Sequence, residues 1–175
     1  MKTNAALIGF MGVGKSAVGR ILADDLAKKF IETDLLVSQK AGKSIAQIFQ
    51  TDGEIVFREY EIGVIKAIAG GQNQVIACGG GVPLNKINID RIRQTGLTVW
   101  LTATAEVILK RTVEDGAGRP LLPPNVTLNY IRSLLRFRQP FYRRAADITV
   151  DTSELDIESI VKHIIEKLRK NADFA

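Results

Sequence analysis

The 175-residue chain holds one cysteine, one histidine, one tryptophan and five prolines. A single cysteine excludes an internal disulfide and any multi-cysteine metal site. The lone histidine lies in Ile160-Val161-Lys162-His163-Ile164, remote from every motif below, and reads as a surface or helix-edge residue. No apolar run approaches the ~20 residues that cross a bilayer, so no membrane partner is expected. Residues 1–10 are too short and too broken by glycine to read as a signal peptide, which makes the cytoplasm the expected compartment. Repeats, low-complexity tracts and linkers are also lacking, and the length suits one domain spanning 1–175. At 46% hydrophobic and 25% charged residues the composition is that of an ordinary globular chain.

The charge is uneven. A net charge of +5 falls almost wholly between Arg111 and Arg144, where seven arginines, no lysine and only two acids occur. A diffuse surplus would suit loose contact with nucleic acid. An all-arginine cluster suits specific recognition of carboxylate or phosphate, because the guanidinium fork binds them bidentately. A solvated basic helix face is the plainer reading, and charge alone leaves both open. No basic stretch is interleaved with aromatics, so nucleic acid is not an expected partner.

Short apolar runs alternate with amphipathic stretches. Strands are predicted at 5–8, at a short run ending at Thr33, and at 74–78, 97–101 and 147–150. Helices are predicted at 15–28, 34–40, 44–50, from an N-cap at Asp52 to about 69, at 85–94, 105–113, 127–144 and 154–170. Pro140 should kink or end the regular part of the penultimate helix. Several strands are apolar on both faces, as in a parallel sheet covered on both sides. The fold class is therefore α/β, a three-layer α/β/α arrangement around a central parallel sheet of about five strands. Ligands of such sheets sit beyond the carboxyl ends of the strands. That places residues 9–16, Thr33-Asp34, residues 79–81 and the segment after Leu101 around one cleft.

Gly9-Phe10-Met11-Gly12-Val13-Gly14-Lys15-Ser16 has the spacing G-x-x-x-x-G-K-S, after a predicted strand and opening a predicted helix. The glycines let backbone N–H groups converge on phosphate oxygens, and the helix N-terminus adds partial positive charge. Lys15 reaches the outer phosphates and Ser16 can ligate Mg²⁺. A glycine-rich turn without a ligand is the bland alternative. The ATP-binding set expected here is Gly12, Val13, Gly14, Lys15, Ser16 and Ala17, and the fold is of P-loop kinase type.

A switch GTPase needs an N-K-x-D element, yet Asn85-Lys86 is followed by Ile87 and Asn88. In Phe30-Ile31-Glu32-Thr33-Asp34 two acids stand two apart, on one face if the strand continues that far. Such a pair beside Mg²⁺ suits a small-molecule kinase, one acid near the metal and the other on the acceptor hydroxyl. Capping of the next helix is the structural alternative for either acid.

Over nearly its whole length the chain resembles the shikimate kinase family. The resemblance rests on residues 9–16, on Asp34 after Phe30, and on Gly42-Lys43-Ser44-Ile45 with Ile48-Phe49. It continues in Gly53-Glu54 with Phe57-Arg58 and Glu61, in Gly79-Gly80-Gly81, in Arg119-Pro120-Leu121-Leu122, and in Arg138 with Pro140, Tyr142 and Ala145. It implies ATP-dependent phosphorylation of the 3-hydroxyl of shikimate, in the route to chorismate and the aromatic amino acids, with Mg²⁺ as cofactor and a monomeric enzyme. By the same resemblance Asp34 binds the shikimate hydroxyls and acts as base, while Arg58 and Arg138 grip the carboxylate. Gly79, Gly80 and Gly81 form the pocket wall, which the physics explains as close approach of main chain to a small polyol. Lys15 and Arg119 act on the transferred phosphate, Arg119 from a mobile lid at 112–125, and Arg111 lies near the adenine. Residues 34–62 form the substrate-binding helical segment.

Two departures stand out. Glu32 replaces the family's usual aspartate in the metal's outer shell, and Asp151-Thr152-Ser153-Glu154 lacks an arginine, leaving adenine contacts to backbone or Ser153. Alternative readings are a gluconate-like or nucleoside monophosphate P-loop kinase, or a nucleotide-binding module that has lost catalysis. Cys78 is expected as a buried structural thiol, Trp100 as core, and Lys28-Lys29 and Arg143-Arg144 as solvated.

Overall fold

The structure, a computed structural model, describes residues 1–114 and 125–175. Five strands are found among these residues: β1 (Asn4–Gly9), β2 (Lys29–Glu32), β3 (Gln74–Ala77), β4 (Gly96–Thr102) and β5 (Ile148–Asp151). All pair in parallel, in the order β2-β3-β1-β4-β5. The helices are α1 (Lys15–Asp25), α2 (Thr33–Ala41), α3 (Ile45–Thr51), α4 (Gly53–Ile68), α5 (Lys86–Thr95), α6 (Ala105–Glu114), α7 (Leu128–Ala145) and α8 (Ile157–Arg169). The expected α/β/α sheet of five strands is what forms. The expected lid at 112–125, and Arg119 with it, falls mainly on residues outside those described.

Every residue of β1 is buried, because β3 and β4 flank it and helices cover both faces. One core layer packs β1 and β4 against α1, α7 and α8 through Leu7, Leu22, Val99, Ile131 and Ile164. The other packs the opposite sheet face against α4 and α5 through Ile8, Ile65, Ile76 and Ile92. A third, smaller core of Val37, Ile48, Phe57 and Val64 holds α2, α3 and α4 to one another.

Five local expectations are corrected. Helix α1 stops at Asp25, not 28, because Ala27 turns left-handed (φ 50°) to enter β2. Lys28 is accordingly not a solvated lysine: its ammonium donates to the carbonyls of Thr3 (2.7 Å) and Ala175 (3.0 Å). Asp52 makes no capping bond to α4, since its carboxylate is taken by Lys43 at 2.8 Å. Trp100 is half-buried where the two main cores meet. Helix α7 runs through Pro140 to Ala145. Both Pro140 and Arg136, whose carbonyl loses its helical donor there, are exposed, so water can satisfy it.

Candidate active site

The carboxyl ends of the strands open onto a cleft of about 680 Å³. Its first wall is the loop between β1 and α1. Gly9 leaves β1 at φ +145°, and a Cβ there would lie 2.4 Å from the Leu101 carbonyl oxygen, so no other residue fits. Gly14 caps α1 in the left-handed region at φ 94°, turning the following N–H groups toward the cleft. Lys15 Nζ donates to the carbonyls of Gly9 (2.9 Å) and Phe10 (2.8 Å), which holds the ammonium over the loop. Ser16 Oγ donates to Glu32 Oε1. Gly12, Val13, Gly14, Lys15, Ser16, Ala17, Glu32 and Arg111 all line the cleft.

Arg111, on α6, is fixed at this end by Thr152, whose carbonyl and hydroxyl oxygens accept from it at 2.8 and 3.2 Å. Ser153, one of the two expected sources of a base contact, accepts from the Thr104 N–H through its hydroxyl oxygen at 3.1 Å and does not line the cleft. Leu155 and Ile157 line it instead, 36% and 40% exposed. Two apolar side chains thus stand open to water on the cleft that Arg111 also lines. Only their exposure reveals them, and exposure is not written in a sequence.

The other end of the cleft is built on charge. Glu32 and Asp34 both line it, but not as two residues on one strand face: α2 begins at Thr33, so Glu32 ends the strand and Asp34 sits in the first turn of the helix. The three glycines after β3 are clamped from both sides. Gly79 N–H donates to Thr33 Oγ1 at 2.8 Å, and Tyr142 donates its hydroxyl to the Gly80 carbonyl at 2.8 Å. Burial pushes the Tyr142 hydroxyl up to about 12, which keeps it a donor.

Why glycines stand here differs from the expectation. A Cβ on Gly79 would lie 2.3 Å from Asp34 Oδ1, and one on Gly81 would lie 1.8 Å from Arg58 Nη1. A Cβ on Gly80 would meet nothing closer than 3.6 Å. Gly79 and Gly81 thus make room for the functional side chains themselves.

Arg58 is held from its own helix. Its Nη1 donates to both oxygens of Glu61 at 3.2 Å, and its Nη2 donates to Glu54 at 2.8 Å. Glu61 was quoted in the resemblance but assigned no role. It is 1% exposed, and burial pushes its carboxyl up to about 7 against the opposing pull of Arg58. Arg138 reaches in from α7 and is only 6% exposed, its guanidinium carbon 5.3 Å from the centre of the Phe10 ring. Its Nε and Nη1 have no hydrogen-bond partner among the described residues. A buried cation with idle donors is costly unless an anion completes it.

Cys78 is buried as expected, and burial pushes its thiol up to about 12. His163 is exposed. Among the described residues no helix is long and apolar enough to cross a membrane.

Phosphate-binding backbone at one end and a buried guanidinium with two unpaired donors at the other give one cleft a place for a donor and a place for an acidic acceptor. That is the layout of a P-loop kinase acting on a small molecule. The sequence model of shikimate kinase matches residues 11–169, and the chain belongs to the shikimate kinase family. It is accordingly an ATP-dependent kinase.

The chain is 41% identical over 171 residues to the shikimate kinase of Symbiobacterium thermophilum, covering 97% of this chain and 98% of that one. It is 44% identical over 162 residues to that of Caldanaerobacter subterraneus, covering 93% and 94%. Among solved structures, shikimate kinase from Acinetobacter baumannii in complex with shikimate superposes with a TM-score of 0.91 at 33% identity, covering 99% of this chain and 96% of that one. A gluconokinase from Sinorhizobium meliloti superposes at 0.61 with 17% identity over 96% of this chain and 92% of its own, a likeness of fold alone.

Proposed function

We propose that the cleft binds Mg·ATP against the P-loop and shikimate against the arginine end, and transfers the terminal phosphoryl group to the 3-hydroxyl. The observation that carries this reading is Arg138, a buried guanidinium whose Nε and Nη1 lack partners. Its Nε–Nη1 edge offers a fork to one planar carboxylate, and Arg58, held by Glu54 and Glu61, adds a second positive charge to the same cleft. Asp34 then orients the acceptor hydroxyl and takes its proton as the oxygen attacks phosphorus. Lys15 meets the charge of the outer phosphates. Arg119, outside the described residues, is assigned to the same charge by the family resemblance, as is the lid role of 112–125. The helical unit α2–α4, with its own small core, serves as the shikimate-binding segment of about 34–62 within a single domain.

The residues present fit Mg²⁺. The Ser16 hydroxyl and Glu32 carboxylate are hard oxygen donors beside the loop. Among the described residues no cluster of three His, Cys, Asp or Glu could cage an ion. That favours a cation that keeps several waters and takes phosphate oxygens. When bound, Mg²⁺ supplies neutralisation of charge on the phosphates. The enzyme acts as a monomer in the cytoplasm, the compartment where ATP is at hand.

The test is ADP release measured with shikimate, gluconate or AMP as acceptor. Shikimate-dependent turnover is expected, and its absence would sink the reading.

A further inference from the structure

The acid that departs from the family's aspartate has a second partner. Glu32 sends its two carboxylate oxygens in different directions, Oε1 to Ser16 Oγ and Oε2 to Arg20 Nη2 at 3.2 Å. Ser16 and Arg20 are four residues apart on α1 and share a face, so the carboxylate lies along the first turns of the helix that follows the phosphate loop. Arg20 is itself seated. Its guanidinium carbon stands 4.8 Å from the centroid of the Phe30 ring, and Phe30 lies two positions before Glu32 on β2, on the same side of the strand. The Phe30 ring in turn packs so closely on α1 that a Cβ at Gly19 would come within 2.7 Å of its Cε2. Phe30 and Glu32 from the strand therefore interlock with Ser16, Gly19 and Arg20 from the helix. An aspartate at position 32, one methylene shorter on the same backbone, would have less reach to span both partners.

As a stability device this pair is negligible. The Arg20 side chain is 62% exposed, and exposed ion pairs contribute little. What the contact does fix is direction, since with Oε2 held the other oxygen faces Ser16. We propose that Arg20 is a positioning residue for the divalent cation: it orients Glu32 toward the Ser16 hydroxyl and so strengthens metal binding in the nucleotide complex. This rests on the reading of Ser16 and Glu32 as the metal's protein contacts.

Charge counting gives the opposite sign. Removing a cation near a cation site should tighten metal binding by relieving repulsion, whereas removing a positioning group should weaken it. The experiment measures Mn²⁺ binding to the enzyme–ADP complex by electron paramagnetic resonance, and metal-free ADP binding by calorimetry, in Arg20→Ala, Arg20→Lys, Glu32→Gln and the Arg20→Ala/Glu32→Gln double variant. Arg20→Ala should weaken Mn²⁺ binding by about tenfold, the lower end of the range seen when outer-shell partners are lost. Metal-free ADP binding and the KM for shikimate should not move. Arg20→Lys should recover part of the loss, and Arg20→Ala should add nothing once Glu32 is glutamine.

Tighter or unchanged Mn²⁺ binding in Arg20→Ala, with weaker binding in Glu32→Gln, overturns the positioning role while keeping the metal reading of Glu32. Unchanged binding in both single variants overturns that reading and the inference with it. An equal loss of metal-free ADP binding in Arg20→Ala makes Arg20 a structural prop of the loop and overturns the inference.

Discussion

The two ends of the cleft are made in different ways. The nucleotide end is backbone: glycines, amide groups and a helix N-terminus, carried by β1, which is buried along its whole length. The acceptor end is side chains: Asp34 from α2, Arg58 and Glu61 from α4, and Arg138 from α7, brought around a glycine run after β3. A backbone site is specified by adjacent residues and by the rigidity of the sheet beneath it. A side-chain site needs several helices docked correctly, and here part of that docking rests on a small satellite core. Damage should therefore read out differently at the two ends.

The sharpest way to separate the ends is Asp34→Asn. Turnover should fall by about a thousandfold or more, as for loss of a general base, while titration with a non-hydrolysable ATP analogue shows nucleotide binding retained. Substantial residual turnover would remove Asp34 from the proton transfer. Next comes the glycine run. Gly79→Ala should lower kcat by roughly a hundredfold because its Cβ would meet Asp34 Oδ1 at 2.3 Å. Gly80→Ala, with its nearest contact at 3.6 Å, should be the milder of the two. Equal effects would mean that the wall, and not the room left for Asp34, is what matters.

A smaller effect is expected from Arg138→Lys. The KM for shikimate should rise by about tenfold or more, with that for ATP nearly constant, because an ammonium loses the planar fork. An unchanged shikimate KM would take Arg138 out of the carboxylate clamp.

The mildest prediction concerns pH. Burial holds the Glu61 carboxyl at about 7 in the folded protein, above its ordinary 4.5, so the folded state binds this proton more tightly than the unfolded chain does. The stability it contributes is full below about pH 4.5 and is eroded as pH rises through about 7, by on the order of 3 kcal/mol in all. Glu61→Gln should remove that slope, which denaturation midpoints measured between about pH 5 and 8 will check. A slope that persists assigns it to another group.

The same contrast explains what could be read in advance. The P-loop was legible because its eight residues are contiguous and its strand-before, helix-after setting follows from local periodicity. Parallel strands with helical crossovers were equally plain, and the sheet formed as expected. The acceptor pocket was legible only through family resemblance, since nothing local says that residue 58 meets residue 138. Glu61 was passed over because an acid three residues after an arginine looks like any surface helix pair; only its burial marks it out. The pairing of Glu32 with Asp34 on one strand face failed because the strand ends one residue before Asp34's helix has begun its first turn, a boundary finer than pattern reading resolves. Leu155 and Ile157, which no sequence pattern singles out, line the cleft and stay open to water.

The buried thiol has a practical consequence for labelling. Cys78 borders the cleft, yet it is 1% exposed, and burial raises its thiol to about 12. Maleimides and other electrophiles that need thiolate will pass it by. Because it is the only cysteine in the chain, the protein is close to a blank for site-specific attachment. A cysteine introduced on an exposed turn of α5 or α8 would carry a fluorophore or spin label with little background, without first deleting a native residue.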